Sequence, residues 1–315
     1  MPSAADPDVQ QANRLFASVI IAVYNDWAPL ANCLQSLAAQ TKAFSFEVIV
    51  VDDGSTHNAP ASILEWMQKY RWKILRQPHL GPAAARNHGI RQSVGEILVF
   101  TDADCILEDH CFAALGACIA ASPSCGYFQL CLAGVRSNLP GKAEDLRLIA
   151  TQSFLLQPDG CIRYMNTAGF AVRRSCVDVE TGLFDERALR AEDSLLLANL
   201  MRRNQLPFFV RAAAVRHPIN LSVLGVLRRT VRSALLEAPT HAIISTLGIK
   251  VLMNHRERFG MLRSIWRISK TKSIGRAAFV LLVARQTLRL LTLTACRILP
   301  RRKREENVVG NLGQV

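Results

Sequence analysis

The first hundred residues alternate between short apolar runs and segments with helical periodicity. Four runs have the length of a strand and little polar alternation: Ser18–Tyr24, Phe46–Asp52, Trp72–Gln77 and Glu96–Thr101. Three segments between them carry apolar residues three and four positions apart: Pro29–Gln40, Ala59–Tyr70 and Pro82–Ser93. Because continuous apolar strands are typical of strands buried on both faces, the pattern predicts a mostly parallel α/β sheet flanked by helices.

The next hundred residues follow a less regular pattern. Helical periodicity occurs at Asp109–Ala121, Lys142–Ser153 and Ala191–Asn204, and strand patterns at Gly126–Ala133, Thr167–Val172 and Leu206–Val215. We expect this second half to complete the sheet and to form one wall of a cleft. After His217 the sequence becomes helical and basic.

These changes in pattern predict the domain organisation. We expect a polar segment at 1–17, an α/β domain at 18–217 with halves at 18–105 and 106–217, a basic helical region at 218–300 and a disordered tail at 301–315.

Charge is distributed unevenly along the 315 residues. Residues 1–210 hold 18 basic and 21 acidic side chains, whereas residues 211–315 hold 20 basic and 4 acidic ones. A basic C-terminal region favours an anionic partner, either a membrane surface or nucleic acid. Nucleic-acid binding requires aromatic residues among the positive charges, and this region has only three, so no nucleic acid is expected.

The most apolar C-terminal stretch, Ala277–Leu299, contains Arg285, Arg289 and Arg297. These arginines argue against a simple membrane span. They favour a helix in the membrane interface, with residues 276–304 directing arginines toward the phosphates of an anionic membrane surface. The alternative is an ordinary helical cap packed on the α/β domain.

The cysteines and the N-terminus bear on the compartment. None of the nine cysteines forms a C-x-x-C pair, and the polar N-terminus lacks the features of a secretory signal. Cys111, Cys118 and Cys125 recur every seven residues, which suggests either a metal site or, more simply, one packed face of a helix. We therefore expect reduced thiols and a cytoplasmic protein, peripheral on the cytosolic face of the membrane.

Acidic residues follow three of the four early strands. The first strand ends at Asn25-Asp26, the second at Asp52-Asp53-Gly54-Ser55 and the fourth at Asp102-Ala103-Asp104. Ligands of parallel sheets bind beyond the carboxyl ends of the strands, and converging carboxylates repel each other unless a cation or a donor-rich ligand is bound. Asp102 and Asp104 therefore predict a Mg²⁺ or Mn²⁺ site, although either residue also suits the start of the next helix.

Four further residues are candidates for the same site. Asp53 suits an N–H donor on a base or, alternatively, a simple turn. Arg86, at the start of a helix, suits a diphosphate or a surface ion pair. Asp193 opens a helix whose dipole would keep the carboxylate ionised as a base, the alternative being a capping box. His217 follows a strand and is a candidate third metal ligand or an ordinary surface histidine.

Six segments occur in an order that is specific to one known family. They are SVIIAVYND, FEVIVVDDGST, GPAAARNHGI, GEILVFTDADC, NTAGFAVRR and RAEDSLL. Over about residues 18–217 the chain resembles family 2 glycosyltransferases with the GT-A fold. The resemblance implies metal-dependent transfer of a sugar, with inversion, from a nucleoside diphosphate sugar, most often a UDP-sugar, to a glycan, polysaccharide or lipid-linked acceptor.

The resemblance also implies roles for individual residues. Val23, Tyr24 and Asp53 would contact the base, Arg86 the base or diphosphate, and Asp102 the ribose or the metal. Asp104 would ligate the metal, and Asp193 would be the catalytic base. Residues 166–170 depart from the family pattern on the acceptor side.

Two rival functions make different demands on the sequence. A nucleotidyltransferase predicts a basic, glycine-rich loop after the first strand, where this chain has YNDWAPL. A non-enzymatic protein with a basic tail for nucleic acid or membranes is the other rival; nucleic-acid binding needs aromatic residues among the positive charges, and residues 211–315 hold only Phe259, Trp266 and Phe279.

Overall fold

The structure is a computed structural model that describes residues 16–41, 44–248, 255–271 and 274–298. The predicted polar segment before residue 16 and the predicted tail, with its basic cluster at 301–304, lie outside the described residues.

Eight strands form a single mixed sheet. They are Phe16–Val23 (β1), Ser45–Asp52 (β2), Lys73–Arg76 (β3), Ile97–Asp102 (β4), Ile106–Leu107 (β5), Tyr127–Gly134 (β6), Phe170–Arg173 (β7) and Phe208–His217 (β8). Their order is β3-β2-β1-β4-β7-β6-β8-β5. The first half is parallel, as predicted, whereas β7 runs antiparallel to β4 and β6, and β5 runs antiparallel to β8.

The α-helices of the described residues alternate with these strands and then continue alone. They are Trp27–Ala38 (α1), Ala61–Tyr70 (α2), Pro82–Arg91 (α3), Cys111–Ala121 (α4), Leu139–Leu155 (α5), Glu192–Arg202 (α6), Val223–Thr246 (α7), His255–Thr271 (α8) and Arg276–Ile298 (α9). The helices and strands predicted over residues 18–217 are confirmed to within a few residues, with one exception at Thr167.

The exception is the first half of the predicted strand Thr167–Val172. Residues Thr167–Gly169 form a 3₁₀ turn, and β7 begins only at Phe170. The side chain of Asn166 accepts a hydrogen bond from the amide of Ala168 at 2.9 Å. This local bond holds the turn in place of a strand pairing.

Buried residues cover both faces of the sheet because successive side chains of a strand point in opposite directions. Val19 and Ile21 pack with α1, α2 and α4 on one face. Ile20 packs with α3 and α6 on the other. Cys111 is buried in the first of these cores, but α4 ends at Ala121, so Cys125 does not share its helix face.

The C-terminal helices pack against α5 through a separate core that includes Leu146, Leu281 and Leu282. The arginines predicted to face lipid turn inward instead: Arg285 pairs with Glu144 of α5 at 2.7 Å, and Arg289 pairs with Glu237 of α7 at 2.6 Å. The prediction was wrong for these two residues because carboxylates on neighbouring helices compete for them. Among the described helices, residues Arg276–Cys296 of α9, with a mean hydropathy of 1.4, are long and apolar enough to cross a membrane.

Candidate functional site

The carboxyl ends of three strands meet at one edge of the sheet. In the strand register, Val23 of β1 lies opposite Asp52 of β2, and Ala22 lies opposite Asp102 of β4. The converging carboxylates predicted from the sequence are therefore brought to the same level of the sheet. Asp26, Asp53 and Asp104 follow in the loops beyond this edge.

The first two of these loops are tied to each other. The amide of Asn25 donates to Ser55 Oγ at 2.9 Å, and the Asn25 side chain accepts from the amide of Thr56 at 2.9 Å. Gly54 has a φ of +77°, and a Cβ there would lie 2.7 Å from the backbone nitrogen of His79. Only glycine, which has no Cβ, allows these two backbone segments to pass so close to each other.

Asp53 is buried and fastens the segment that leads into α3. Its carboxylate accepts hydrogen bonds from the amides of Leu80 and Gly81 and from Gln77 Nε2, all within 3.0 Å. His79 Nδ1 lies 2.9 Å from the same carboxylate. Asp53 therefore shapes this edge, and its predicted contact with a base stays a prediction.

Tyr24 presents a ring to solvent at this edge. Its side chain is 42% exposed and stacks on His79, with the ring centroids 4.1 Å apart. The sequence analysis missed His79, whose only signal was its place just before the glycine that precedes α3. Val23 is buried and its carbonyl accepts a hydrogen bond from the amide of Asp53 at 2.8 Å, so its predicted contact with a base stays a prediction.

Arg86 lies in a buried ion network. Its Nη1 donates to Glu192 at 2.5 Å and its Nη2 to Asp102 at 2.8 Å, while its Nε has no partner among the described residues. The predicted surface ion pair is therefore wrong, because this arginine is buried. The Arg86 side chain is only 5% exposed and both its terminal nitrogens bind carboxylates, so a diphosphate contact by Arg86 finds no support in this geometry.

Replacing Arg86 with alanine is expected to lower the free energy of unfolding by about 3 kcal/mol, because Glu192 would keep a buried charge without a partner. Urea unfolding followed by circular dichroism measures the change. The matched control is Arg187→Ala, which removes an exposed pair with Asp185 and should cost less than about 1 kcal/mol. Equal effects of the two substitutions would contradict the buried network.

A loop that precedes Asp193 is held by α3. Asn87 Oδ1 accepts hydrogen bonds from the amides of Leu183 and Phe184 at 3.0 Å, and its Nδ2 donates to the Phe184 carbonyl at 2.8 Å. A Cβ at Gly182 would lie 2.4 Å from the Asn87 side chain. Adjacent residues of α3 thus fix both Asp102 and the approach to α6.

Asp193 occupies the first turn of α6, next to the buried Glu192. Burial, followed by the negative charge of Glu192, raises the pKa of Asp193 to about 7. Burial and repulsion oppose the helix dipole, which was expected to keep this carboxylate ionised. A carboxylate with this pKa is suited to accept a proton near neutral pH.

Asp104 and His217 form the candidate metal centre. His217 Nε2 lies 3.5 Å from Asp104 Oδ2, and the Cys105 thiol completes a group whose donor atoms all lie within 4.8 Å. Burial and the nearby Asp102 hold the pKa of Cys105 well above its usual value, and sulfur is a softer ligand than Mn²⁺ or Mg²⁺ prefers. The carboxylate of Asp104 is the type of ligand that Mn²⁺ and Mg²⁺ prefer. Asp102, also predicted as a ligand, lies outside this group and binds Arg86 through Oδ1.

Residues 18–130 match the family model described as Glycosyl transferase family 2. Over 96 residues the chain is 38% identical to "Putative glycosyltransferase EpsH" of Bacillus subtilis (strain 168), a match that covers 30% of this chain and 28% of that protein.

Solved structures resemble the whole described fold. The chain gives a TM-score of 0.62, at 16% identity and coverage of 94% and 90%, with the mannosyltransferase PcManGT from Pyrobaculum calidifontis in complex with GDP-Man and Mn²⁺. It gives a TM-score of 0.50, at 17% identity and 89% coverage of both chains, with S. aureus TarS 1-349 in complex with UDP. At these identities the likeness is one of fold alone.

Proposed function

We propose that this chain, whose residues 18–130 form a glycosyl transferase family 2 domain and whose sheet has the GT-A fold, transfers a sugar from a nucleoside diphosphate sugar to an acceptor hydroxyl. One observation carries the proposal. The guanidinium of Arg86 joins Asp102, at the donor edge of the sheet, to Glu192, the neighbour of a carboxylate with a pKa of about 7. A donor site and a base are thereby held together.

The donor side is supported by the edge residues and by the relatives. Tyr24, stacked on His79, offers a ring face on which a base can stack. The solved relatives hold GDP-Man with Mn²⁺ in one case and UDP in the other. We therefore propose a nucleoside diphosphate donor, with a UDP-sugar as the first choice, and Mn²⁺ or Mg²⁺ as the cofactor.

Asp193 performs the proton transfer in the proposed reaction. Its carboxylate takes the proton of the acceptor hydroxyl. The oxygen of that hydroxyl attacks the anomeric carbon of the donor sugar, in line with the leaving diphosphate. The bond from that carbon to the diphosphate oxygen breaks and its electron pair leaves with the diphosphate, so the configuration inverts. A divalent cation held by Asp104 and His217 would supply Lewis-acid stabilisation of the departing charge.

A thermal-shift panel tests this proposal. UDP, GDP, TDP and their sugars are added to the full chain, each with and without Mn²⁺. Because a ligand of the native state raises the melting temperature, the proposal predicts a shift for one base that requires the metal. A panel in which no nucleotide shifts the melting temperature, with or without the metal, would contradict it.

The raised pKa of Asp193 predicts a specific pH profile. The base acts only when deprotonated, so kcat/KM should fall about tenfold per pH unit below about pH 7 and stay level above it. Initial rates from about pH 5 to about pH 9 measure the profile, with circular dichroism confirming the fold at each pH. A level profile down to about pH 5 would match an ordinary aspartate and contradict the assignment.

We also propose peripheral attachment to the cytosolic face of an anionic membrane. Phe259, Leu262 and Trp266 form an exposed apolar stripe on α8, with Arg263 and Lys270 exposed beside it. Val280 and Leu291 are exposed on α9, at 62% and 64%. Apolar side chains flanked by basic ones are typical of a helix that lies in the membrane interface.

Nine free cysteines support a reducing compartment.

Replacing both Phe259 and Leu291 with glutamate is expected to lower binding to phosphatidylglycerol-containing vesicles at least about tenfold, because two apolar contacts are lost and two negative charges are added. Co-sedimentation of the full chain measures binding. Leu64→Glu on α2 is the control, since Leu64 is also an exposed apolar residue, at 47%, but lies on the α/β domain. Equal sedimentation of the double variant and the unmodified chain would contradict the surface.

A further inference from the structure

A second charged cluster lies between α5 and the C-terminal helix. Glu144 is buried, and its carboxylate accepts two hydrogen bonds from Arg147, at 2.6 and 3.1 Å, and a third from Arg285 Nη1 at 2.7 Å. The two guanidinium groups lower the pKa of Glu144 far below its usual value, against the opposing effect of burial. The carboxylate is therefore a fixed anion between two cations.

The cluster adjoins both parts of the site already described. His217, of the candidate metal centre, acts electrostatically on Glu144. Arg147 and Asp193 both act on the hydroxyl of Tyr164. That hydroxyl is buried and makes no hydrogen bond of normal geometry among the described residues, although Arg147 and Asn166 lie close enough to act on it. A buried hydroxyl without a well-formed hydrogen bond is costly, so this one can donate to a group bound beside the proposed base.

The charges of the cluster do not cancel. Two guanidinium groups face one carboxylate, which leaves one positive charge. The side chains of Arg147 and Arg285 are 20% and 28% exposed, whereas that of Glu144 is 5% exposed. The anion is thus covered by two partly exposed arginines. Guanidinium groups held in this way are preorganised to bind an oxyanion through charge-assisted hydrogen bonds.

We propose that Arg147 and Arg285, together with the Tyr164 hydroxyl, form a subsite for a phosphate group carried by the acceptor. This inference rests on the proposed function, because Asp193 marks the side on which the acceptor hydroxyl is bound. The acceptor is then a phosphorylated glycan, polyol or lipid whose phosphate lies close to the reacting hydroxyl. The C-terminal helix α9, which carries Arg285, becomes part of the acceptor site.

Calorimetric titration with glycerol 3-phosphate, and with glycerol as the neutral probe, tests the subsite. The full chain is titrated free and after saturation with UDP and Mg²⁺. Arg147→Gln and Arg285→Gln should each weaken glycerol 3-phosphate binding at least about tenfold while leaving UDP affinity unchanged. Arg289→Gln is the matched control. It also removes an arginine of α9 from a carboxylate that keeps a second side-chain neighbour, because Glu237 retains His241.

Each outcome decides the inference. Loss of glycerol 3-phosphate binding in Arg147→Gln and Arg285→Gln, with Arg289→Gln unchanged, supports the subsite. Equal binding in all variants overturns it, as does equal weakening by Arg289→Gln. Weaker UDP binding in place of weaker glycerol 3-phosphate binding assigns the arginines to the donor diphosphate and overturns the acceptor assignment. Selective phosphate binding by a chain that binds no nucleotide supports the subsite and contradicts the proposed function.

Discussion

Replacing Asp193 with asparagine is expected to lower kcat for sugar transfer by about a thousandfold and to leave the dissociation constant of the donor within about twofold. Asparagine has nearly the same shape but cannot accept the proton of the acceptor hydroxyl. Asp193 contacts its own helix through Ser194, whose amide donates to it at 2.6 Å, so the amide side chain can keep the local packing. Steady-state rates and calorimetric titration of the donor measure the two quantities.

The control for this substitution is Asp178→Asn, which removes an exposed carboxylate from the loop that leads to α6. It should retain full activity. If Asp193→Asn keeps a tenth or more of the wild-type kcat, Asp193 is not the base. If it loses donor affinity instead of turnover, the carboxylate belongs to the donor site and the proposed division of roles is wrong.

Replacing Asp104 with alanine is expected to abolish the dependence of donor binding on Mn²⁺ and to weaken donor binding in its presence by about a hundredfold. His217 alone is then left as a metal ligand, and a single imidazole holds a divalent cation poorly. Titration of the donor with Mn²⁺ and with a chelator measures the effect.

Glu108→Gln serves as the control because Glu108 is an acidic residue four positions further on that pairs with Arg216, next to His217, without joining the donor group. It should bind the donor and Mn²⁺ as the unmodified chain does. Unchanged Mn²⁺-dependent binding in Asp104→Ala would remove Asp104 from the metal centre, whatever the catalytic rates show.

The pattern of apolar residues predicts the α/β core because it depends on periodicity alone. Val19, Ile20 and Ile21 form an apolar run without polar alternation, and the structure buries all three between helices on the two faces of the sheet. The turn at Thr167 was not predictable in this way, because it depends on one hydrogen bond that the Asn166 side chain accepts from the amide of Ala168. Register at the sheet edge follows from parallel strands, so the convergence of Asp52 and Asp102 was also foreseeable.

The electrostatic state of the site was not predictable from the sequence. Arg86 and Glu192 are separated by 106 positions, and only the packing of α3 against the start of α6 brings them into contact. The pKa of Asp193 depends on the burial that this packing produces. Arg285 was assigned to lipid because its own helix is apolar and basic, whereas the partner that turns it inward, Glu144, lies 141 positions earlier.

The measurement that tests the central claim most directly is the release of nucleoside diphosphate from the sugar nucleotide selected by the thermal panel. It is made with Mn²⁺ for the unmodified chain, Asp193→Asn and Asp104→Ala. The proposed function predicts metal-dependent release by the unmodified chain and loss of release in both variants, with donor binding kept only by Asp193→Asn. Absence of release by a chain that binds the donor and Mn²⁺, in the presence of phosphorylated and neutral acceptors alike, would contradict it.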